Sequence, residues 1–274
     1  MSSFVCPVCK EPLSRAKGSL RCTHGHNFDV ARQGYVNLVK GGGTRRGHGD
    51  DRAMIAARQA FLSRGYYAPL ADAVSRLGTE CVRGKTQVFL LDAGCGEGYY
   101  TCRVKEELQA LGKTVDVCGI DLSREALIFF SRRDKSADLA VASIADIPVK
   151  EECADLVLNL FAPQADAEFL RITKRGGRLI CVFPLQDHLM GLKRAVYDTP
   201  YENPPPSYDP QGFREVSRTE VRRTLQLCSQ EDIHNLFLMT PYYYKTSRRD
   251  QEKLEKLTFL ETPVSFGIYV YEKE

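Results

Sequence analysis

Two short stretches of this 274-residue chain hold residue types that do chemistry, at spacings that permit it. In the first, Cys6 and Cys9 form C-P-V-C, and after twelve intervening residues C-T-H-G-H supplies Cys22, His24 and His26. Sets of four thiolates and imidazoles hold zinc tetrahedrally, and three Cys with one His is a common structural set. The C-x3-H spacing lets the chain turn back on itself, which favours His26 over His24. Three structural cysteines in a core would be the plain alternative, but the segment is too polar to build that core, and one so small needs a staple. With protein filling all four positions, the ion is expected to be structural and to leave no site for water activation. The second stretch, D-A-G-C-G-E-G, runs from Asp92 to Gly98. Gly94, Gly96 and Gly98 permit a sharp turn and close approach of a ligand. Glu97, between two of them, lies on the ligand face of the loop.

The elements that must position these residues follow from the apolar pattern. A-M-I-A-A-R-Q-A-F-L-S-R-G-Y-Y-A-P-L (from Ala53) and the residues to Leu77 have helical spacing interrupted at Gly65 and near Pro69, which predicts two helices. T-Q-V-F-L-L predicts a strand entering the glycine turn, with a helix after it to about Leu111. V-D-V-C-G-I-D-L-S predicts a second strand closing on Asp121, where an acid can accept from both ribose hydroxyls of an adenosine. L-A-V-A-S-I-A-D-I-P predicts a third ending near Asp146, placed to meet an adenine amino group. A fourth spans residues 154–163 and a fifth 178–183, after a turn at Gly176–Gly177. Strands and helices alternating at this spacing imply an α/β fold with a parallel sheet and ligands at the strands' carboxyl ends.

Composition bounds the rest. No apolar run is long enough to span a membrane, and the N-terminus lacks the basic-then-apolar pattern of a secretion signal. Ten cysteines without an export signal read as reduced thiols or metal ligands in a cytoplasmic protein. Residues 1–50 hold eight Lys/Arg against three acids, whereas the remaining 224 hold 30 against 32. A basic head on a near-neutral body points to a polyanion met by the head, with solubility alone as the alternative. Arg15, Lys17 and Arg21 lie between the two ligand pairs, and G-G-G-T-R-R-G-H-G-D (from Gly41) reads as a flexible basic loop.

The order of parts resembles the class I S-adenosylmethionine-dependent methyltransferases. L-D-A-G-C-G-E-G-Y-Y-T matches their first motif, and G-I-D-L-S and K-R-G-G-R-L match later ones. An NAD-dependent dehydrogenase fits less well, because G-x-G-x-x-G is absent, and no Gly-Lys-Ser/Thr of a P-loop follows the glycines. The cysteine knuckle, H-N-F-D-V-A-R-Q-G-Y-V-N-L, the first motif, F-A-P and H-L-M-G-L-K together resemble the bacterial 23S ribosomal RNA guanine-N1 methyltransferases over nearly the whole chain. The resemblance implies a zinc-binding RNA-recognition module at residues 1–40, a flexible basic loop at 41–52, and a class I domain at 53–274 with a Rossmann-like seven-stranded sheet. It implies structural zinc on Cys6, Cys9, Cys22 and His26, and S-adenosylmethionine contacts at Tyr67, Glu97, Gly98 and His188. It also implies a guanine in a hairpin of 23S ribosomal RNA as substrate, and a homodimer. Taken by themselves, Tyr67 would pack two helices together and His188 would cap a helix.

The acceptor base must be reached at N1, on its Watson–Crick edge, so it must be unpaired or flipped out. Candidates for meeting it are Asn159 and Phe161 in N-L-F-A-P, by hydrogen bond and by stacking, and Asp187 as a proton acceptor. Tyr242, Tyr243 and Tyr244 could stack on RNA bases or pack internally. The competing readings are a class I methyltransferase of another RNA, protein or small molecule, and a zinc-stabilised RNA-binding protein without activity.

Overall fold

A computed structural model describes residues 2–40 and 51–274. The expected basic loop falls almost wholly on residues 41–50, outside the described residues. In the head, β1 (Ser14–Ala16), β2 (Ser19–Arg21) and β3 (Asn27–Asp29) form a small antiparallel sheet, followed by β4 (Tyr35–Asn37). The body runs α1 (Arg52–Ser63), α2 (Ala68–Cys81), β5 (Gln87–Ala93), α3 (Tyr99–Ala110), β6 (Thr114–Asp121), α4 (Arg124–Arg133) and β7 (Asp138–Val141). It continues β8 (Ala154–Leu160), α5 (Asp166–Ile172), β9 (Thr173–Pro184), α6 (Met190–Val196) and β10 (Phe213–Leu227). The chain closes with α7 (Gln230–Leu238), α8 (Tyr242–Lys245), α9 (Arg248–Glu255) and β11 (Leu260–Lys273).

The main sheet has the order β10-β11-β9-β8-β5-β6-β7-β4, with β11 antiparallel to both its neighbours and the remaining pairs parallel. The direction of winding reverses at β5, between β6 and β8, and such a switch point opens a crevice at the strands' carboxyl ends. Every residue of β8 is buried, as a central strand covered on both faces requires. The helix break near Gly65 comes from two local constraints. Gly65 takes φ +80° after α1, and Pro69 sits in the first turn of α2, where its missing N–H is harmless.

Three sequence expectations change. The sheet has eight strands rather than seven, because β4 of the head adds to its edge, parallel to β7, with Val36 opposite Ala140. The third body strand stops at Val141 instead of reaching Asp146. There the Ser143 hydroxyl accepts from the Ala145 amide and the Asp146 amide bonds the Ser143 carbonyl, a local turn that competes with the ladder. The fifth strand begins at Thr173 rather than residue 178. It absorbs the Gly176–Gly177 pair as an irregularity in its pairing with β8, with Gly176 at φ +68°.

The head has almost no core of its own and borrows one. Phe4, Leu13, Leu20, Val36 and Leu38 are buried in one cluster with Ala140, Ile147 and Val149 of the body. The Val5 amide bonds the Pro148 carbonyl at 2.8 Å and the Leu38 amide the Val141 carbonyl at 2.9 Å. Asp138 takes the Ser3 amide at 2.7 Å and Arg15 at 2.6 Å, so Arg15 is committed to the joint, while Lys17 and Arg21 face solvent. Asp146 pairs with both Lys10 and Lys40 at 2.7 Å. Exposed pairs of that kind contribute about 0–1 kcal/mol each, whereas each fully buried apolar side chain is worth roughly 1.5–3 kcal/mol. Apolar burial therefore holds the head on, and the charges set its register.

Candidate active site and metal centre

The glycine turn leaves β5 with the Gly94 and Cys95 amides both bonded to the Ile120 carbonyl of β6, at 2.9 and 3.0 Å. Gly94, Gly96 and Gly98 all take positive φ, and Gly98 is the N-cap of α3. Two of them are also sterically enclosed. A Cβ on Gly94 would lie 2.5 Å from the Ala162 side chain, and one on Gly98 2.5 Å from the Phe130 ring.

Beside the turn opens a cavity of about 630 Å³ at the carboxyl ends of the central strands. Its acids are Asp92, Glu97 and Asp121. Asp92 is 2% exposed, accepts from the Thr101 hydroxyl through Oδ2, and has Oδ1 without a partner among the described residues. Burial, and then the neighbouring Asp121 charge, push its pKa up to about 7 against the pull of the Thr101 bond. Glu97 is equally buried. Burial pushes its pKa upward, and the Arg133 guanidinium that it bonds pulls the other way. Asp121 accepts from the Gly96 amide at 2.9 Å and the Ser123 amide at 2.7 Å, which orients its carboxylate at the end of β6.

His188 also lines the cavity, its ring 4.6 Å from that of Phe266 and tilted at 53° to it. Its Nδ1 accepts from the Ser265 amide at 3.2 Å, which places the proton on Nε2 as a donor. Burial drives its pKa down to about 3, so the ring is neutral throughout the physiological range. It does not cap α6, whose N-cap is Leu189. Tyr67 is buried against Phe61 and Phe266 and also reaches the cavity, so packing and lining coexist in one ring. Phe161 is 47% exposed at the mouth, near Tyr100 and Phe266. Its φ of +60° is a conformation that a non-glycine residue adopts at about 1–2 kcal/mol.

Four expected residues stand elsewhere. Gly98 shapes the turn and does not line the cavity. Asn159 is 1% exposed, and its amide nitrogen donates to the Ala93 and Pro163 carbonyls, tying the β5 and β8 ends together. Asp187 is ion-paired with Arg222 at 2.8 Å, outside the lining. Asp146 holds the head. Arg58, Met54, Tyr100 and Phe266 also line the cavity, and no local motif marks them in the sequence. Of the three tyrosines, Tyr242 and Tyr244 line the cavity while Tyr243 packs on Phe237.

In the head, the Cys6, Cys9 and Cys22 Sγ atoms and one His26 ring nitrogen lie within 4.8 Å of one another. Cys9 to Cys22 is 3.7 Å, and His26 Nδ1 stands 3.6 Å from Cys6 Sγ and 3.3 Å from Cys22 Sγ. Zinc with bonds of 2.0–2.3 Å requires tetrahedral edges of roughly 3.3–3.8 Å, and these three edges fit. Gly25, at φ +84°, makes the turn that brings His26 back to Cys22. His24 is exposed and belongs to no such cluster among the described residues.

Comparison with known proteins follows the same division. The zinc-ribbon family model described as "RlmA, N-terminal" matches residues 4–40, and the model "Methyltransferase domain" matches residues 91–181. The Streptomyces fradiae protein named "23S rRNA (guanine(748)-N(1))-methyltransferase" is 38% identical over 70% of this chain and 66% of its own length. The Bacillus subtilis protein named "Putative 23S rRNA (guanine-N(1)-)-methyltransferase YxjB" is 33% identical over 98% of this chain and 96% of its own. The chain belongs to the 23S rRNA (guanine-N1)-methyltransferase family.

The cavity fits the family's donor, S-adenosylmethionine. An unpartnered buried carboxylate oxygen on Asp92 suits a cation, Asp121 suits a ribose diol, and Leu122, Ala142 and Ile144 offer an apolar wall. No helix of the described residues is long and apolar enough to cross a membrane. The metal centre predicts about one zinc per chain by elemental analysis, lost in Cys6→Ser together with protection of the head from protease. Full zinc content in that variant would refute the ligand set.

Asp92 predicts a pH dependence. Its folded pKa lies above the unfolded value of 3.8, so the native state holds more protons and loses stability as pH rises through this window toward about 7. A cationic ligand favours the ionised form and reverses the penalty. Affinity for S-adenosylmethionine should therefore rise about tenfold between pH 6 and pH 8 by calorimetry, and Asp92→Asn should flatten the profile.

Proposed function

We propose that this protein transfers the methyl group of S-adenosylmethionine to N1 of a guanine in a hairpin of 23S ribosomal RNA. The observation that carries this reading is one molecule with an acid-lined cavity that also carries aromatic side chains, Phe161 and Tyr244 among them exposed, joined to a basic zinc module. Bound S-adenosylmethionine supplies a methyl group that is already activated as a sulfonium, so positioning provides much of the rate.

The chain's own residues then have separable tasks. Asp92, Glu97, Asp121, Tyr67 and His188 hold the cofactor, with Gly94 and Gly96 permitting its approach. Phe161, held over the mouth by its left-handed backbone, stacks on the flipped base. Tyr242 and Tyr244 close the other side and exclude water. Asn159 keeps the Phe161 loop against the glycine turn, and so acts on the substrate only through that loop. The head at residues 1–40, with Lys17 and Arg21 exposed, contributes to choosing the RNA, which a cofactor fold alone does not distinguish. Asp146 acts through the joint with the head, not on the adenine.

Transfer of labelled methyl to 23S ribosomal RNA, mapped by primer extension, tests the reading. A stop at one guanine is expected, because N1 methylation blocks pairing. Label confined to protein or small molecules would overturn it. The functional form is proposed to be a homodimer, as the family resemblance implies. Light scattering should then read about twice the chain mass of 30.8 kDa, and a monomeric mass would remove the dimer from the account.

A further inference from the structure

We propose that Arg58 is the residue that holds the carboxylate of the cofactor's amino-acid end, an inference resting on the reading of the cavity as the S-adenosylmethionine site. A buried carboxylate needs a cation or several donors to replace its water. Among the described residues lining the cavity, Arg58 is the only lysine or arginine, set against Asp92, Glu97 and Asp121. His188, neutral, can add a hydrogen bond but no charge.

The position of Arg58 assigns it to one end of the ligand. Its Nη1 lies 3.8 Å from where a Cβ on Gly96 would stand. Its charge acts on both Glu97 and Tyr100, at the start of α3. The ribose acid Asp121 lies on β6 and the apolar wall of Ala142 and Ile144 beyond β7, so a nucleoside occupies the β6–β7 side. What remains beside the glycine turn, under α1, is the amino-acid end, where Asp92 meets the ammonium and Arg58 the carboxylate. The planar guanidinium matches a carboxylate bidentately, a geometry that lysine does not reproduce.

Calorimetry with two ligands on the full-length protein tests this. S-adenosylhomocysteine carries the amino-acid end, and 5′-methylthioadenosine lacks it. Arg58→Met should weaken S-adenosylhomocysteine roughly 10–100-fold and leave 5′-methylthioadenosine within about twofold of wild type, since no charge–charge contact to it is removed. Arg58→Lys should recover part of the lost affinity. Unchanged S-adenosylhomocysteine binding in Arg58→Met overturns the assignment, as does an equal loss for both ligands, which would mark a structural role. If wild-type protein binds neither ligand, the cofactor reading of the cavity falls, and this assignment with it.

Discussion

The turn from Asp92 to Gly98 is the constraint on which the rest of the structure depends. It is wedged between two elements that come from elsewhere in the chain, Ala162 above Gly94 and the Phe130 ring against Gly98, each 2.5 Å from where a side chain would begin. A methyl group at either position would push apart the β8 loop or α4. Positive φ at all three glycines adds a second reason for the same residue type. Because the turn is this tight, the β5 carboxyl end can carry a buried acid, start a helix and leave a cavity within seven residues.

The head presents the opposite situation, a segment with too little apolar surface to fold alone. It is stabilised from two directions. One is the four-ligand cluster, whose zinc would fix the Cys6–Cys9 knuckle to the Cys22–His26 turn. The other is the body, which supplies Ala140, Ile147 and Val149 as the missing core and a strand edge for β4. That edge leads, through the Leu38 amide on the Val141 carbonyl, to Ala142 and Ile144 in the cavity wall. The zinc-ligand end of the molecule and the cavity wall thus share one strand, β7.

What was legible in the sequence was what local geometry dictates. The ligand spacing, the glycine turn and Asp121 at a strand end are each determined within a few residues, and the structure brings them to the expected places. Asp146 misled because strand length was read from apolar content alone. Ser143 offers the backbone a competing turn, and Lys10 and Lys40 then capture the carboxylate from residues more than a hundred positions away. Arg58, Tyr100 and Phe266 were invisible for a related reason. Phe266 reaches the cavity through the antiparallel register of β11 on β9, where it stands opposite Pro184, and no local pattern encodes that pairing. Tyr67 was ambiguous in the sequence because one ring serves both packing and lining.

The arrangement of polarity within the site follows from the reaction's needs. Charge is concentrated at the bottom, where Asp92 and Glu97 are 2% exposed and burial raises both carboxyl groups. Low dielectric there strengthens any contact with a cationic ligand. The mouth is aromatic instead, with Phe161, Tyr100, Tyr242 and Tyr244 around it. Aromatic faces accept any base by stacking without demanding a charge partner, which suits a neutral nucleobase arriving from a polyanionic strand. Phe161 sits where the two regions meet, and its unfavourable φ is maintained by loop contacts on both sides, Asn159 below and Ala162 against Gly94. The same wedge that shapes the glycine turn therefore also fixes the Phe161 ring at the cavity mouth, so the floor and the rim of the site are set by one packing contact.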